Sequence, residues 1–327
     1  MDTVRWGLVG TSQINRRLIP AIRTNRQSTL VAIASRDLAR AETYAHQWGL
    51  TQAHGSYQAL LDSPDVDALY VGLPNALHVD VTLAAIAAGK HVLCEKPLAL
   101  SPDHVDRIAA AARDRDVVVA EGFMFRHEPL TARVVRLARE GAIGALRHIS
   151  AGFTYQQTRA DDVRLLPELG GGSLWDVGCY PVSYARLLVG EEPDQLFGWA
   201  QNGASGVDEA FTGVLHFANG VVAEIHCGFR TAYRTWLEVL GQDGAMRVPN
   251  PFKPGVREEI EIHRGEVTRR ITVEGSHELF AREVADFVTS IREGRPGGVS
   301  LDDSRGNAAA LAGLHASARS GHAMIVS

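Results

Sequence analysis

Apolar residues in the first third of the chain come in short runs, and each run is followed by a helical pattern. Val4 to Val9 reads as a buried strand, Gln13 to Thr24 as a helix, Thr29 to Ala34 as a strand, and Leu38 to Trp48 as a helix stopped by Gly49. The alternation continues with strand Ala68 to Leu73, helix Leu77 to Ala88 closed by Gly89, strand His91 to Cys94, helix Pro102 to Arg115 and strand Val117 to Ala120. Such regular alternation predicts an α/β fold with a doubly wound parallel sheet. From about Leu146 the texture changes to longer alternating runs: Arg147 to Tyr155, Ala210 to Phe217, Val221 to Phe229, Trp236 to Gly241 and Glu258 to His263. These read as an antiparallel sheet, and Asn219-Gly220 between two of them is a hairpin signal. Helical patterns over Glu278 to Glu293 and Asp302 to Arg319 close the chain, and the domain boundary is expected between residues 121 and 130.

Composition narrows the function classes. A chain of 327 residues that is 45% hydrophobic can bury two sizeable cores. Its formal net charge of -5 argues against a nucleic-acid or anionic-membrane partner, since both need a clustered basic excess. No apolar stretch approaches the roughly 20 residues of a membrane span, and the N-terminus runs into a strand pattern without a signal-peptide pattern, so a cytoplasmic protein is expected. Cys94, Cys179 and Cys227 lie far apart without a Cys-x-x-Cys pair. That fits reduced buried thiols, and no metal site is expected.

The turn after the first strand, Gly10-Thr11-Ser12-Gln13-Ile14-Asn15, occupies the place of a dinucleotide-binding loop. Its glycine spacing is incomplete, because Ser12 and Asn15 stand where the second and third small residues belong. Gly10 can still make the tight turn, the backbone N–H groups of Thr11 to Ile14 can meet a pyrophosphate at a helix N-terminus, and Ser12 can offer its hydroxyl. The second strand ends in Ser35-Arg36-Asp37, where an acid would accept the ribose hydroxyls of NAD. Serine followed by arginine suits a ribose phosphate, and Arg40 one turn on can join it. NADP is therefore the expected cofactor and NAD the alternative, in which Asp37 does the ribose work. Leu73, Pro74, Asn75 and His78 approach the nicotinamide half, with Asn75 as a candidate helix N-cap.

Two segments carry candidate chemistry. Glu95-Lys96-Pro97 ends a strand with a lysine between a carboxylate and a proline, which fits either a surface pair or a cation fixed to polarise a substrate oxygen. In Gly170-Gly171-Gly172-Ser173-Leu174-Trp175-Asp176-Val177-Gly178-Cys179-Tyr180-Pro181, three glycines allow close approach to a ligand or another domain. If this segment is helical, Asp176 and Tyr180 share a face, although Gly178 and Pro181 make a break there plausible. A phenol has a reference pKa near 10, so Tyr180 needs a cation such as Lys96 to move a proton. With hydride carried by a cofactor, Lys96 would polarise the reacting oxygen, Tyr180 would transfer its proton, and Asp176 would bind a sugar hydroxyl or orient Tyr180. On spacing alone, a structural helix tyrosine outweighs a catalytic one at position 180.

Taken in order, the Gly10 loop, Pro74-Asn75-x-x-His78, Glu95-Lys96-Pro97 and the triple glycine followed by Asp176 and Tyr180 resemble the glucose-fructose oxidoreductase, inositol dehydrogenase and MocA (Gfo/Idh/MocA) family. Tyrosine at 180 resembles the branch with NADP-dependent xylose dehydrogenase, dimeric dihydrodiol dehydrogenase and sugar ketoreductases. The resemblance implies a Rossmann domain, taken as residues 1–125, and a C-terminal α/β domain with a large open, mainly antiparallel sheet, taken as 126–327. The final helix is expected to pack back on the first domain. It further implies NAD(P)-dependent chemistry on a carbohydrate or polyol, an aldose such as xylose or glucose foremost, and a homodimer or homotetramer built through the sheet. Glu95 and Lys96 join the cofactor-binding residues. Arg126 lines the cleft or forms an interdomain salt bridge, and Arg164 either contacts substrate or is solvated. A keto-sugar reductase, a dihydrodiol dehydrogenase and a non-catalytic NAD(P)-binding regulator are the alternatives.

Overall fold

A computed structural model describes residues 3–326 of the chain, which divide into two units. The first comprises residues up to Ala99, Asp103–His127 and Glu278–Arg305; the second comprises Leu100–Pro102, Glu128–His277 and the residues from Gly306 onward. The chain thus leaves the first unit after His127 and returns to it for Glu278–Arg305.

In the first unit, β1 (Val4–Val9), α1 (Asn15–Thr24), β2 (Ser28–Ala34), α2 (Leu38–Trp48), β3 (Gln52–His54), α3 (Tyr57–Leu61), β4 (Ala68–Val71), α4 (His78–Ala87), β5 (His91–Glu95), α5 (Pro102–Arg115) and β6 (Val119–Gly122) follow in sequence. The strands form a six-stranded sheet in the order β3-β2-β1-β4-β5-β6, and every pair is parallel. All four residues of β4 and five of the six in β1 are buried, as expected for a sheet covered on both faces. Trp6 anchors this core with no exposed surface, its ring 5.3 Å from that of Phe287 and its Nε1 donating to Ser28 Oγ at 3.2 Å.

The strand order reverses between β1 and β4, the crevice where open parallel sheets bind ligands. Register aligns Ala34, Val9, Val71, Cys94 and Glu121 in one row across the sheet. The segments that follow each of them, including the Gly10 loop, Ser35-Arg36, Leu73 to Asn75 and Lys96, therefore emerge along a single edge.

The second unit contributes α6 (Pro129–Arg139), β7 (Leu146–Gln156), α7 (Cys179–Val189), β8 (Gln195–Asn202), β9 (Asp208–His216), β10 (Val222–Gly228), β11 (Arg230–Gly241), β12 (Ala245–Val248), β13 (Arg257–Arg264) and β14 (Val267–Glu274). After α8 (Ala281–Glu293) and α9 (Leu301–Ser320), the short β15 (Met324–Ile325) completes its sheet. The nine strands run β14-β13-β12-β11-β7-β10-β9-β8-β15, antiparallel throughout except for β7 beside β10. The Asn219-Gly220 hairpin forms between β9 and β10, with Gly220 at φ 83° donating to Phe217 O at 2.8 Å. Among the described residues, no helix is long and apolar enough to cross a membrane.

Candidate active site

The first unit presents its candidate residues along the sheet edge just described. Gly10 has φ 88°, and a Cβ there would lie 2.7 Å from Leu73 Cδ2, so only glycine fits the turn. Asn15 takes over from the missing glycine: it is fully buried and its Nδ2 donates to Gly10 O at 2.9 Å. The helix starts at Asn15, two residues later than the pattern predicts, which leaves the N–H groups of Thr11, Ser12, Gln13 and Ile14 ahead of the first helical hydrogen bond. This loop fits a dinucleotide pyrophosphate. Ser12 is placed differently from the expectation that its hydroxyl is free for phosphate, since Oγ donates to Asn15 Oδ1 at 3.0 Å and locks the loop.

At the end of β2, the Asp37 carboxylate accepts from Arg40 N at 3.2 Å and caps α2, while Ser35 is buried and its Oγ accepts from Asp37 N at 3.3 Å. The acid is committed to the helix, and Arg36 and Arg40 are exposed beside it. At the next strand end, Pro74 rather than Asn75 occupies the cap position, and Asn75 opens a short 3₁₀ turn. Proline's fixed φ and missing N–H suit that place.

His78 is fully buried, with Nδ1 2.8 Å from Pro97 O and Nε2 2.8 Å from Leu73 O. Burial, more than the nearby Lys96, lowers its pKa, and a neutral ring donates through one nitrogen at a time. Its polar atoms thus brace the segment after Lys96 against the end of β4. Glu121 Oε1 holds the same segment from the other side by accepting from Leu98 N at 2.9 Å. Glu95, expected near the cofactor, accepts a hydrogen bond from the Tyr70 hydroxyl. Close to both lies Glu283, a fully buried carboxyl whose pKa burial raises far above the usual range, with Glu95 adding to the effect. Arg126 Nη1 pairs with Asp303 Oδ2 at 2.8 Å. Both belong to the first unit, because Glu278–Arg305 returns there, so this pair is not the interdomain bridge of the alternative expectation.

In the second unit, Leu174–Gly178 is a wide π turn that runs into α7 at Cys179. Pro181 has no N–H to donate to Val177 O, which fits the widened turn. The Asp176 Oδ2 accepts from the Tyr155 hydroxyl at 2.8 Å and from Arg164 Nε at 3.0 Å. Arg164 Nη1 also reaches Asp162 Oδ1 at 3.0 Å. The Asp176 carboxylate holds the Arg164 guanidinium well above its usual range. Arg164 is therefore tied to Asp176 while its side chain stays exposed to solvent. Tyr180 is buried against Phe153 and Phe252, at ring distances of 5.4 and 5.7 Å, and those two rings stack on each other.

The triple glycine serves this unit's own packing. A Cβ on Gly171 would lie 2.5 Å from Arg164 O, and one on Gly172, at φ 119°, would lie 2.2 Å from an Asp208 carboxylate oxygen. Tyr155, Asp162, Asp208 and Phe252 were not singled out by sequence reasoning. Tyr155 and Phe153 do alternate onto one face of a predicted strand, but nothing in the pattern tells which helix that face meets.

Two domain signatures cover most of the chain: that of an oxidoreductase family with an NAD-binding Rossmann fold matches residues 4–123, and the GFO/IDH/MocA C-terminal domain matches residues 131–247. The chain belongs to the Gfo/Idh/MocA family. It is 34% identical over 323 residues to D-xylose 1-dehydrogenase (NADP(+)) 2 of Haloferax volcanii, covering 98% of each chain. It is 37% identical to dTDP-3,4-didehydro-2,6-dideoxy-alpha-D-glucose 3-reductase of Streptomyces antibioticus, covering 89% of each. Among solved structures, a 3-ketoreductase from Actinomadura kijaniata in complex with NADP and TDP-benzene superposes with a TM-score of 0.92 at 31% identity, over 96% of this chain and 98% of that one. As a Gfo/Idh/MocA member the protein is an NAD(P)-dependent oxidoreductase, and the parallel and mainly antiparallel sheets are those expected of its two domains.

Proposed function

We propose that this protein is an NADP-dependent sugar oxidoreductase that oxidises an aldose such as xylose or glucose at C1. The observation that carries the proposal is the Asp176 cluster: a carboxylate steadied by Tyr155 and Arg164, one turn before Tyr180, in a chain whose first unit is an NAD-binding Rossmann fold. Such a carboxylate suits the vicinal hydroxyls of a sugar, and the adjacent phenol suits the proton that must leave one of them. Near-complete alignment with an NADP-dependent xylose dehydrogenase supports the same substrate class.

A nicotinamide cofactor, when bound, would supply the hydride chemistry. The chain's residues manage the oxygen. Lys96 polarises it and favours the phenolate form of Tyr180, which takes the hydroxyl proton during oxidation and returns it during reduction. Asp176 accepts from a neighbouring hydroxyl and fixes the sugar ring. Arg36 and Arg40 would hold the ribose 2′-phosphate, and the N–H groups after Gly10 would hold the pyrophosphate. Keto-sugar reduction by the same residues is the second reading, favoured by the 37% identity to a dTDP-ketosugar 3-reductase.

A steady-state panel tests the two against each other. NADP reduction with free aldoses is the expected outcome; turnover only with NADPH and keto-sugars would replace it with the second reading, and tight NADPH binding without turnover on any sugar would sink both.

We also propose assembly through the open sheet of the second unit. Trp199 is 72% exposed and Phe197 41%, two positions apart on β8 and so on one face, an apolar surface that a second copy would cover. Light scattering should show a dimer or tetramer for the wild type and a lighter species for Trp199→Glu. A monomeric wild type would remove the proposal.

A further inference from the structure

We propose that Asp208 is a positioning residue for the reaction, acting through the turn that carries Asp176 and Tyr180. The inference rests on the role assigned above to those two side chains. Asp208 opens β9, is only 5% exposed and takes no part in the Tyr155–Asp176–Arg164 hydrogen bonds. One of its oxygens, Oδ2, accepts from Ser173 Oγ at 2.6 Å and from Leu174 N at 2.8 Å. These donors stand at the start of the π turn, where Ser173 makes no capping hydrogen bond of its own and the first N–H groups lack helical acceptors. Asp208 therefore caps that turn from another strand. Gly172 is explained by the same contact, since any side chain there would displace the carboxylate.

The capping bonds fix where the turn begins, and Asp176 and Tyr180 follow it within seven residues of Ser173. A helix start held by one buried carboxylate is set to that oxygen's position within hydrogen-bond tolerance, about 0.3 Å. Loss of the acceptor would let the turn slide or unwind and spoil the placement of both side chains without touching the cofactor loop.

The cap also carries a charge condition. Burial pushes Asp208 up to about 6, against the lowering effect of the hydrogen bonds from Ser173 and Leu174. The other groups facing it are few: the Cys227 thiol of β10, 3.6 Å from Ser173 Oγ and pushed up by burial, Asp176 on the capped turn, and the neutral Asn202 paired with Asp208 in β8. None of these supplies a cation. As pH falls through about 6 the carboxylate takes a proton, the acceptor weakens, and turnover should fall with it, while remaining flat above.

Asp208→Asn keeps the shape and removes the charge; Ser173→Ala keeps the charge and removes one donor. The purified full-length variants would be compared for kcat across pH 5 to 8, for NADPH affinity by fluorescence titration, and for amide exchange of the peptide spanning residues 170–182. Asp208→Asn should lower kcat by about tenfold to a hundredfold, through the loss of charge assistance on two hydrogen bonds that the amide oxygen still accepts, and abolish the acid limb near pH 6. NADPH affinity should stay within about threefold, and exchange across 170–182 should rise. Ser173→Ala should show a smaller loss and keep the acid limb. Wild-type kcat with an unchanged acid limb in Asp208→Asn overturns the inference, as does a parallel fall in kcat, NADPH affinity and folding. The exchange measurement needs no substrate: if the wild type turns over no sugar, the assigned function fails, while unchanged exchange in Asp208→Asn shows that the cap itself is absent.

Discussion

Lys96→Ala is expected to lower turnover by about two to four orders of magnitude, the span typical of a positioned acid-base or oxyanion group. NADPH affinity should change by less than about tenfold, because a single ammonium contact with the cofactor contributes about 1 kcal/mol. Lys96 directly follows β5, the strand beside the edge strand β6, and the chain after it is braced by His78 on Pro97 and by Glu121 on Leu98. In the proposed mechanism, removal of the ammonium takes the cation from the reacting oxygen and from the Tyr180 phenol. Both losses act on the chemical step, so kcat falls rather than cofactor binding. Stopped-flow turnover together with fluorescence titration of NADPH measures each. Turnover within threefold of wild type would remove Lys96 from the mechanism.

The second large effect concerns the cofactor. Ser35→Asp with Arg36→Leu should swing the NADP-to-NAD preference by about two to three orders of magnitude. A charge-assisted guanidinium–phosphate contact contributes about 1.5–3 kcal/mol, and a new carboxylate facing the phosphate adds repulsion. The swing depends on the structure in one respect: Asp37 Oδ1 caps α2, and the residue that directly follows β2 is Ser35 rather than an acid. Ratios of kcat/KM for the two cofactors measure it. A preference that the double substitution leaves unchanged would show that Arg36 does not meet the phosphate.

Much of this was legible because the signals are local. Apolar runs alternating with helical periods give the parallel sheet, and the loops at its carboxyl edge follow from topology; Gly10, Ser35-Arg36 and Lys96 stand where that edge requires them. β3 and α3 were not legible, since Gln52–His54 is too short to show a period and α3 has only five residues. β8 escaped because Phe197 and Trp199 put apolar side chains on its outer face, which blurs the alternation expected of a half-buried strand. In the second unit, Asp176 and Tyr180 were visible as a pair, but the groups that hold them were not. Tyr155 arrives from a strand 21 residues earlier and Asp208 from one 32 residues later than Asp176, and sequence spacing carries no information about which strand passes beneath which turn. The triple glycine could be read as permissive backbone, yet what approaches it is the Arg164 carbonyl and the Asp208 carboxylate of the same unit.

The central claim is hydride transfer from a sugar carbon to the nicotinamide of NADP, and C1-deuterated xylose and glucose test it most directly. The purified protein would be incubated with NADP and each labelled aldose, and the reduced cofactor analysed by mass spectrometry and proton NMR. Deuterium at nicotinamide C4, together with the corresponding lactone, is the predicted result. Reduced cofactor that carries no label, or no reduction despite tight NADPH binding, would contradict it.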